Sequence, residues 1–140
     1  LALLPLEVRW IDARPDAFPD TVAANVRPVP TADWRAEVDA APPGALYLVF
    51  THAHPLDYAI TAAILAREDA RYCGLIGSET KRARFVKRFR EEAGLSEAAI
   101  GRLVCPIGLG GPPGKEPEAI AIGVAAELLH ILHDEKELAP

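Results

Sequence analysis

Residues 45–76 read ALYLVFTHAHPLDYAITAAILAREDARYCGLI. The first six, Ala45–Phe50, are a continuous apolar run, the mark of a strand buried on both faces. Pro55–Arg67 follows with an Ala/Ile/Leu face and reads as a helix, and Tyr72–Ile76 returns to a short apolar strand. Strand, helix, strand with short connections is the unit of a parallel α/β sheet.

The pattern continues on both sides. Glu79–Ala93 is predicted as a helix with the apolar stripe Phe85, Val86, Phe89 and Ala93, closed by Gly94. Ser96–Ile100 makes a turn or two of helix, Arg102–Cys105 a short strand, and Pro106–Lys115 a loop with four glycines and three prolines. Pro117 suits a helix start, and Glu118–His133 is apolar nearly all round, so it is expected to be buried or to lie at an interface. Toward the start, Leu1–Leu4 reads as the end of an apolar helix stopped by Pro5, and Leu6–Asp12 as a strand. The proline-rich stretch after it is loop with an extended piece at Asn25–Val29, and Asp33–Ala40 is a short helix capped by Thr31 or Asp33.

Composition narrows the function classes. The 140 residues fit one domain, 1–140, and half are hydrophobic and a quarter charged, as in ordinary globular chains. A net charge of −5 speaks against nucleic acid binding by bulk charge. No stretch of ~18 apolar residues offers a membrane span. Two cysteines and no secretory signal make a cytoplasmic setting the expectation. The chain has no methionine, even at position 1, so it is expected to be a processed product or part of a longer protein.

In parallel sheets, ligands bind outside the carboxyl ends of the strands. Four such ends carry unusual residues. Asp12 fits a ribose-binding acid, with Arg14 a fork for phosphate or carboxylate; an Asx turn before Pro15 is the simpler alternative. Thr51-His52-Ala53-His54-Pro55-Leu56-Asp57 has metal-ligand residue types, similar to the zinc motif of metallo-β-lactamase-like hydrolases, but with Asp57 three residues after His54 instead of two. Its other readings are a hydrogen-bonding His52 at the ligand edge and a cap from Thr51, His54 or Asp57. Gly77-Ser78 opens a helix whose first turn carries Lys81 and Arg82 against the macrodipole. Cations there make sense if an anion binds beside Ser78 and Lys81; a solvated basic face is the alternative, since six of the fifteen Lys and Arg lie in residues 81–90. Cys105 stands before the Gly108 loop and is either a reachable thiolate or a small buried hydrophobe, while Cys73 reads as buried.

The stretches WIDARPDAF, LVFTHAHPLD, YCGLIGSETK and CPIGL, then PEAIA with AAE downstream, together resemble the C-terminal Rossmann domain of the XdhC/CoxI family. The resemblance implies a Rossmann-like parallel sheet with helices on both faces. The family's glycine-rich first strand–turn has no counterpart before Leu6, and Gly123 stands where serine is common. The resemblance also implies an accessory protein, itself no catalyst, for xanthine dehydrogenase or a related molybdenum hydroxylase. Such a protein binds the molybdenum cofactor while a NifS-like cysteine desulfurase supplies its terminal sulfur, and then passes it on. Asp12, Arg14, Thr51, His52, Asp57, Gly77, Ser78, Lys81, Cys105 and Gly108 are the residues expected to hold that cofactor. An NAD(P)-binding oxidoreductase domain and a metallohydrolase on His52, His54 and Asp57 remain as alternatives. A doubly wound sheet would place a first strand between the strands ending at Asp12 and Phe50. Those two strands are therefore expected to be unpaired with each other, with a separate segment or a second copy in a homodimer covering the gap.

Overall fold

In the computed structural model, residues 1–108 and 116–138 are described. The chain divides into two compact units, residues 1–34 with 110–140, and residues 35–109.

In the first unit, β1 (Val8–Asp12) and β2 (Val26–Pro30) pair in parallel, in register from Val8↔Val26 to Asp12↔Pro30. Trp10 packs its ring edge-on to Phe18 at 5.1 Å, and Asn25 ties the segments together by donating to the carbonyls of Leu4 and Leu6. Leu1–Leu4 is no helix. It forms a turn with the Leu4 N–H on the Leu1 carbonyl at 3.0 Å, because a residue before proline is pushed out of the α region. The long helix of this unit, α5 (Pro117–Leu138), buries Val124 and Leu128 and leaves Ile122 and Leu129 exposed.

In the second unit, the helix α1 (Trp34–Ala40) contributes its residues from Arg35 onward and leads to β3 (Leu46–Val49), which pairs in parallel with β4 (Tyr72–Leu75). β4 pairs in turn with β5 (Leu103–Val104), giving the order β3-β4-β5. β4 has neighbours on both edges and is buried at every residue. The crossover α2 (His54–Arg67) packs on β3 and β4, and α3 (Glu79–Glu91) returns the chain past α4 (Glu97–Ile100). Parallel strands with helical crossovers make this an α/β Rossmann-like domain. Among the described residues, the ladders are β1-β2 in the first unit and β3-β4-β5 in the second.

Aromatic packing sets how α2 meets α3. Tyr58 stacks on Phe89 at 5.1 Å and meets Phe85 edge-on at 5.5 Å, and its hydroxyl donates to the Arg88 carbonyl. At the other end of the sheet, Arg67 donates to the Val38 carbonyl, to the Tyr47 hydroxyl and to Asp69. Gly94, with φ 64°, ends the α3 region, where the Leu95 N–H returns to the Phe89 carbonyl.

Gly74 in β4 is required by close approach. The buried Tyr72 ring, two residues away on the same face, lies across it. A Cβ at position 74 would meet Tyr72 Cε1 at 2.5 Å and Ile107 Cγ2 at 2.8 Å. We expect Gly74→Ala to cost about 1–3 kcal/mol of stability by overpacking, read as a lower urea midpoint at unchanged slope.

Candidate functional site

Two strand ends of the second unit, those after β3 and β4, are locked together by one buried ion pair. After β3 the chain turns at Thr51, whose hydroxyl donates to the Ala53 carbonyl and accepts from the Ala53 N–H. Asp57 follows in the first turn of α2, where a carboxylate is favoured by the helix dipole. Its Oδ1 reaches back to accept the Thr51 N–H at 2.8 Å. After β4, Ser78 caps α3 by accepting the Lys81 N–H at 3.1 Å. The Lys81 side chain then folds back over Gly77, and its Nζ donates to the Ile76 carbonyl at 2.8 Å and to Asp57 Oδ2 at 2.8 Å. Lys81 is 5% exposed and Asp57 1%. Gly77 makes this path possible: it takes φ 155°, and a Cβ there would stand 2.5 Å from Lys81 Cδ.

Above the pair lies a cleft of about 380 Å³. Its floor is Ile76, Gly77, Asp57 and Lys81, and its rim carries Thr80 from α3, its cap Ser78, and Thr51 and His52 from the β3–α2 turn. His54 and Arg84 complete the lining, with Arg84 Nη2 3.3 Å from His54 Nδ1. A guanidinium has no lone pair to offer, so in this contact the arginine is the donor and Nδ1 the acceptor. His52, His54, Thr80 and Arg84 are exposed. Among the described lining residues, the only acid, Asp57, is neutralised by Lys81, so they present hydrogen-bond donors and one exposed full cation to whatever enters the cleft.

The model of the XdhC Rossmann domain matches residues 1–128. The chain belongs to the XdhC family. A search of curated proteins finds no match. Among solved structures, a xanthine dehydrogenase from Bacillus halodurans is similar at 21% identity with a TM-score of 0.70. The likeness covers 96% of this chain and 38% of that one, so the XdhC domain spans well under half of that protein's length and shares its fold.

The sequence-predicted residues of the XdhC domain fall into three groups. Thr51, His52, Asp57, Gly77, Ser78 and Lys81 do line one cleft, although two of the roles differ from those expected. Lys81 and Ser78 were expected to hold an external anion. Instead, the Lys81 ammonium is held by Asp57 and Ile76, and the Ser78 oxygen is occupied by the Lys81 N–H. Asp12 and Arg14 stand at the end of β1 in the other unit, where Arg14 forks onto Asp12 at 3.1 and 2.9 Å and its own N–H adds a third bond. Both the ribose acceptor and the open phosphate fork are therefore engaged with each other, and the Asp12 hydrogen bond and charge hold Arg14 above its ordinary pKa. Cys105 and Gly108 lie outside the cleft lining.

Cys105 is 6% exposed, and burial raises its thiol pKa, although Lys81 and Arg82 pull it down. The reachable thiolate is thus corrected to a mostly covered thiol. Cys73 is fully buried and pushed up to about 12. Gly108 takes φ 75°, and the rest of its predicted loop, residues 109–115, lies outside the described residues. The metal reading loses Asp57, both of whose oxygens are taken, and Tyr58 is a packing residue. No group of three or more metal-ligating side chains occurs among the described residues. The residue that sequence reading passed over is Arg84, which was absorbed into the basic run. Its spacing of three from Lys81 places both on one helix face, and that was the available signal.

We expect Lys81→Glu to destabilise the protein by about 3–5 kcal/mol, because it sets two carboxylates together in a buried site. Thermal denaturation checks this. An unchanged melting temperature would return Lys81 to the role of a free anion-binding cation.

Proposed function

We propose that this protein is an accessory factor of a molybdenum hydroxylase of the xanthine dehydrogenase type. In this reading it binds the molybdenum cofactor as cargo, keeps it while a NifS-like cysteine desulfurase supplies sulfur, and passes it to the apo-enzyme. It acts as a chaperone in the cytoplasm and catalyses no reaction of its own. The observation that carries the reading is the cleft at the β3 and β4 ends. It is donor-rich, its floor is internally neutralised, and it belongs to a domain of the XdhC family.

The cleft's chemistry fits one end of such a cargo. Molybdopterin ends in a phosphate, or in a pyrophosphate when it carries a nucleotide. Arg84, Thr80 and the two histidines are the groups that would hold those oxygens. The lining offers no thiolate to the metal end, so the cysteines are not placed in the site.

Nucleic acid and membrane are no part of this reading. The net charge is −5, and no described helix is long and apolar enough to cross a bilayer. A homodimer belongs to the proposal and is supported by α5, where Ile122 and Leu129 stand 60% and 48% exposed. Seven residues apart, they lie on one helix face.

The test is mass spectrometry of the full-length protein purified from its own cells. We expect a pterin in the wild-type protein, strongly reduced in Arg84→Gln at equal yield of folded protein. Bound NAD(P) and no pterin would overturn the reading in favour of an oxidoreductase domain.

A further inference from the structure

We propose that His54 and Arg84 form a proton-linked receptor for a doubly charged oxyanion such as a terminal phosphate. The inference rests on the cofactor reading above and assigns the end of the ligand that this cleft grips.

Arg84 keeps different company from several arginines of the chain, among them Arg102, which donates to the Ala70 carbonyl. Arg14, Arg67, Arg88 and Arg90 each close on a carboxylate. Arg84 faces an imidazole instead, 3.3 Å away across the cleft mouth. In a chain with more acids than bases, a guanidinium that meets a cleft and not a carboxylate keeps its charge for something else. Lys81 cannot take that role, because Asp57 and the Ile76 carbonyl hold it in the floor.

The contact is also self-limiting in protonation. Arg84 can donate to Nδ1 only while His54 is neutral. A second proton on the ring would turn an N–H against an N–H and a cation against a cation. An oxyanion reverses this balance, since it accepts from Arg84 and from a doubly protonated ring together, with charge-assisted bonds to both. Anion binding therefore takes up a proton at His54, and by linkage affinity rises as pH falls through the histidine range. Among the described residues, the remaining titratable or charged groups lining this mouth are His52 on the turn and the Asp57–Lys81 pair in the floor, which is neutral as a unit. Arg88, one turn beyond Arg84 on α3, is engaged by Glu92 and by the Tyr58 ring.

The probe is inorganic sulfate, which stays a dianion throughout the titration, so any pH dependence belongs to the protein. Binding to the full-length protein is measured by calorimetry from about pH 5.5 to 7.5, with the His54 Cε1–H resonance followed by NMR. Affinity should fall as pH rises across that range, by at most about tenfold per pH unit, as expected for one linked proton. Added sulfate should move the His54 resonance toward its protonated position. Arg84→Gln should weaken binding at least about tenfold, and His54→Gln should leave weaker binding that no longer depends on pH. Lys87→Gln, on the exposed basic face of the same helix outside the cleft, should change nothing. An equal loss with Lys87→Gln, or pH-independent binding to the wild-type protein, overturns the receptor.

Molybdopterin binding separates the two levels. If it survives Arg84→Gln and His54→Gln while sulfate binding is lost, the cofactor is not held here and the receptor serves free phosphate. If molybdopterin binds the wild-type protein and sulfate shows no linked proton, the receptor fails and the cofactor reading stands.

Discussion

The Lys81–Asp57 pair is the constraint around which the second unit is arranged. Its two residues come from two helices, and its hydrogen bonds end just beyond two strands, at the Thr51 N–H and the Ile76 carbonyl. Removing two charges from water costs several kcal/mol per ion, and only good geometry with further hydrogen bonds recovers it. Here the carboxylate accepts through both oxygens, and the ammonium has two oxygen partners and the face of Phe85 at 5.3 Å. Other features follow from it. Gly77 must lack a Cβ because the lysine stem crosses it, and the Ser78 cap fixes the first turn of α3 so that the stem points down.

That arrangement divides labour in the cleft. A floor neutral as a unit attracts neither anion nor cation, and its shape is held by an ion pair and hydrogen bonds that a ligand does not need to break. Recognition is left to the rim, where Arg84, His52, His54 and Thr80 are exposed. A floor that is already tied together asks for no rearrangement of the ion pair when a ligand arrives.

Much of the fold was readable because apolar runs and turn residues are local signals. The strand at Ala45–Phe50, the helix at Pro55–Arg67 and the glycine at 94 each appear where the pattern put them, within a residue or two. Leu1–Leu4 was misread because four apolar residues before a proline look alike whether they end a helix or make a turn. In the site, the helix-dipole argument was sound as far as it went. Cations in the first turn of α3 do require an anion, and Lys81 has one. It is the protein's own Asp57, 24 residues earlier, and nothing local in the sequence announces a partner at that distance. The same limit hid Arg84, whose role comes from facing His54 across 30 residues. The Asp12–Arg14 pairing, by contrast, spans two residues and was within reach of the Asx-turn alternative.

The central claim is that Lys81 and Asp57 stabilise the domain as a pair, and a double-mutant cycle measures it directly. Urea denaturation of Asp57→Asn, Lys81→Met and the double variant yields their coupling energy. The account predicts that each single change is costly, and that the double costs far less than the sum, with a coupling of at least about 2 kcal/mol. Additivity within about 0.5 kcal/mol would mean that the two side chains act independently, and would contradict it.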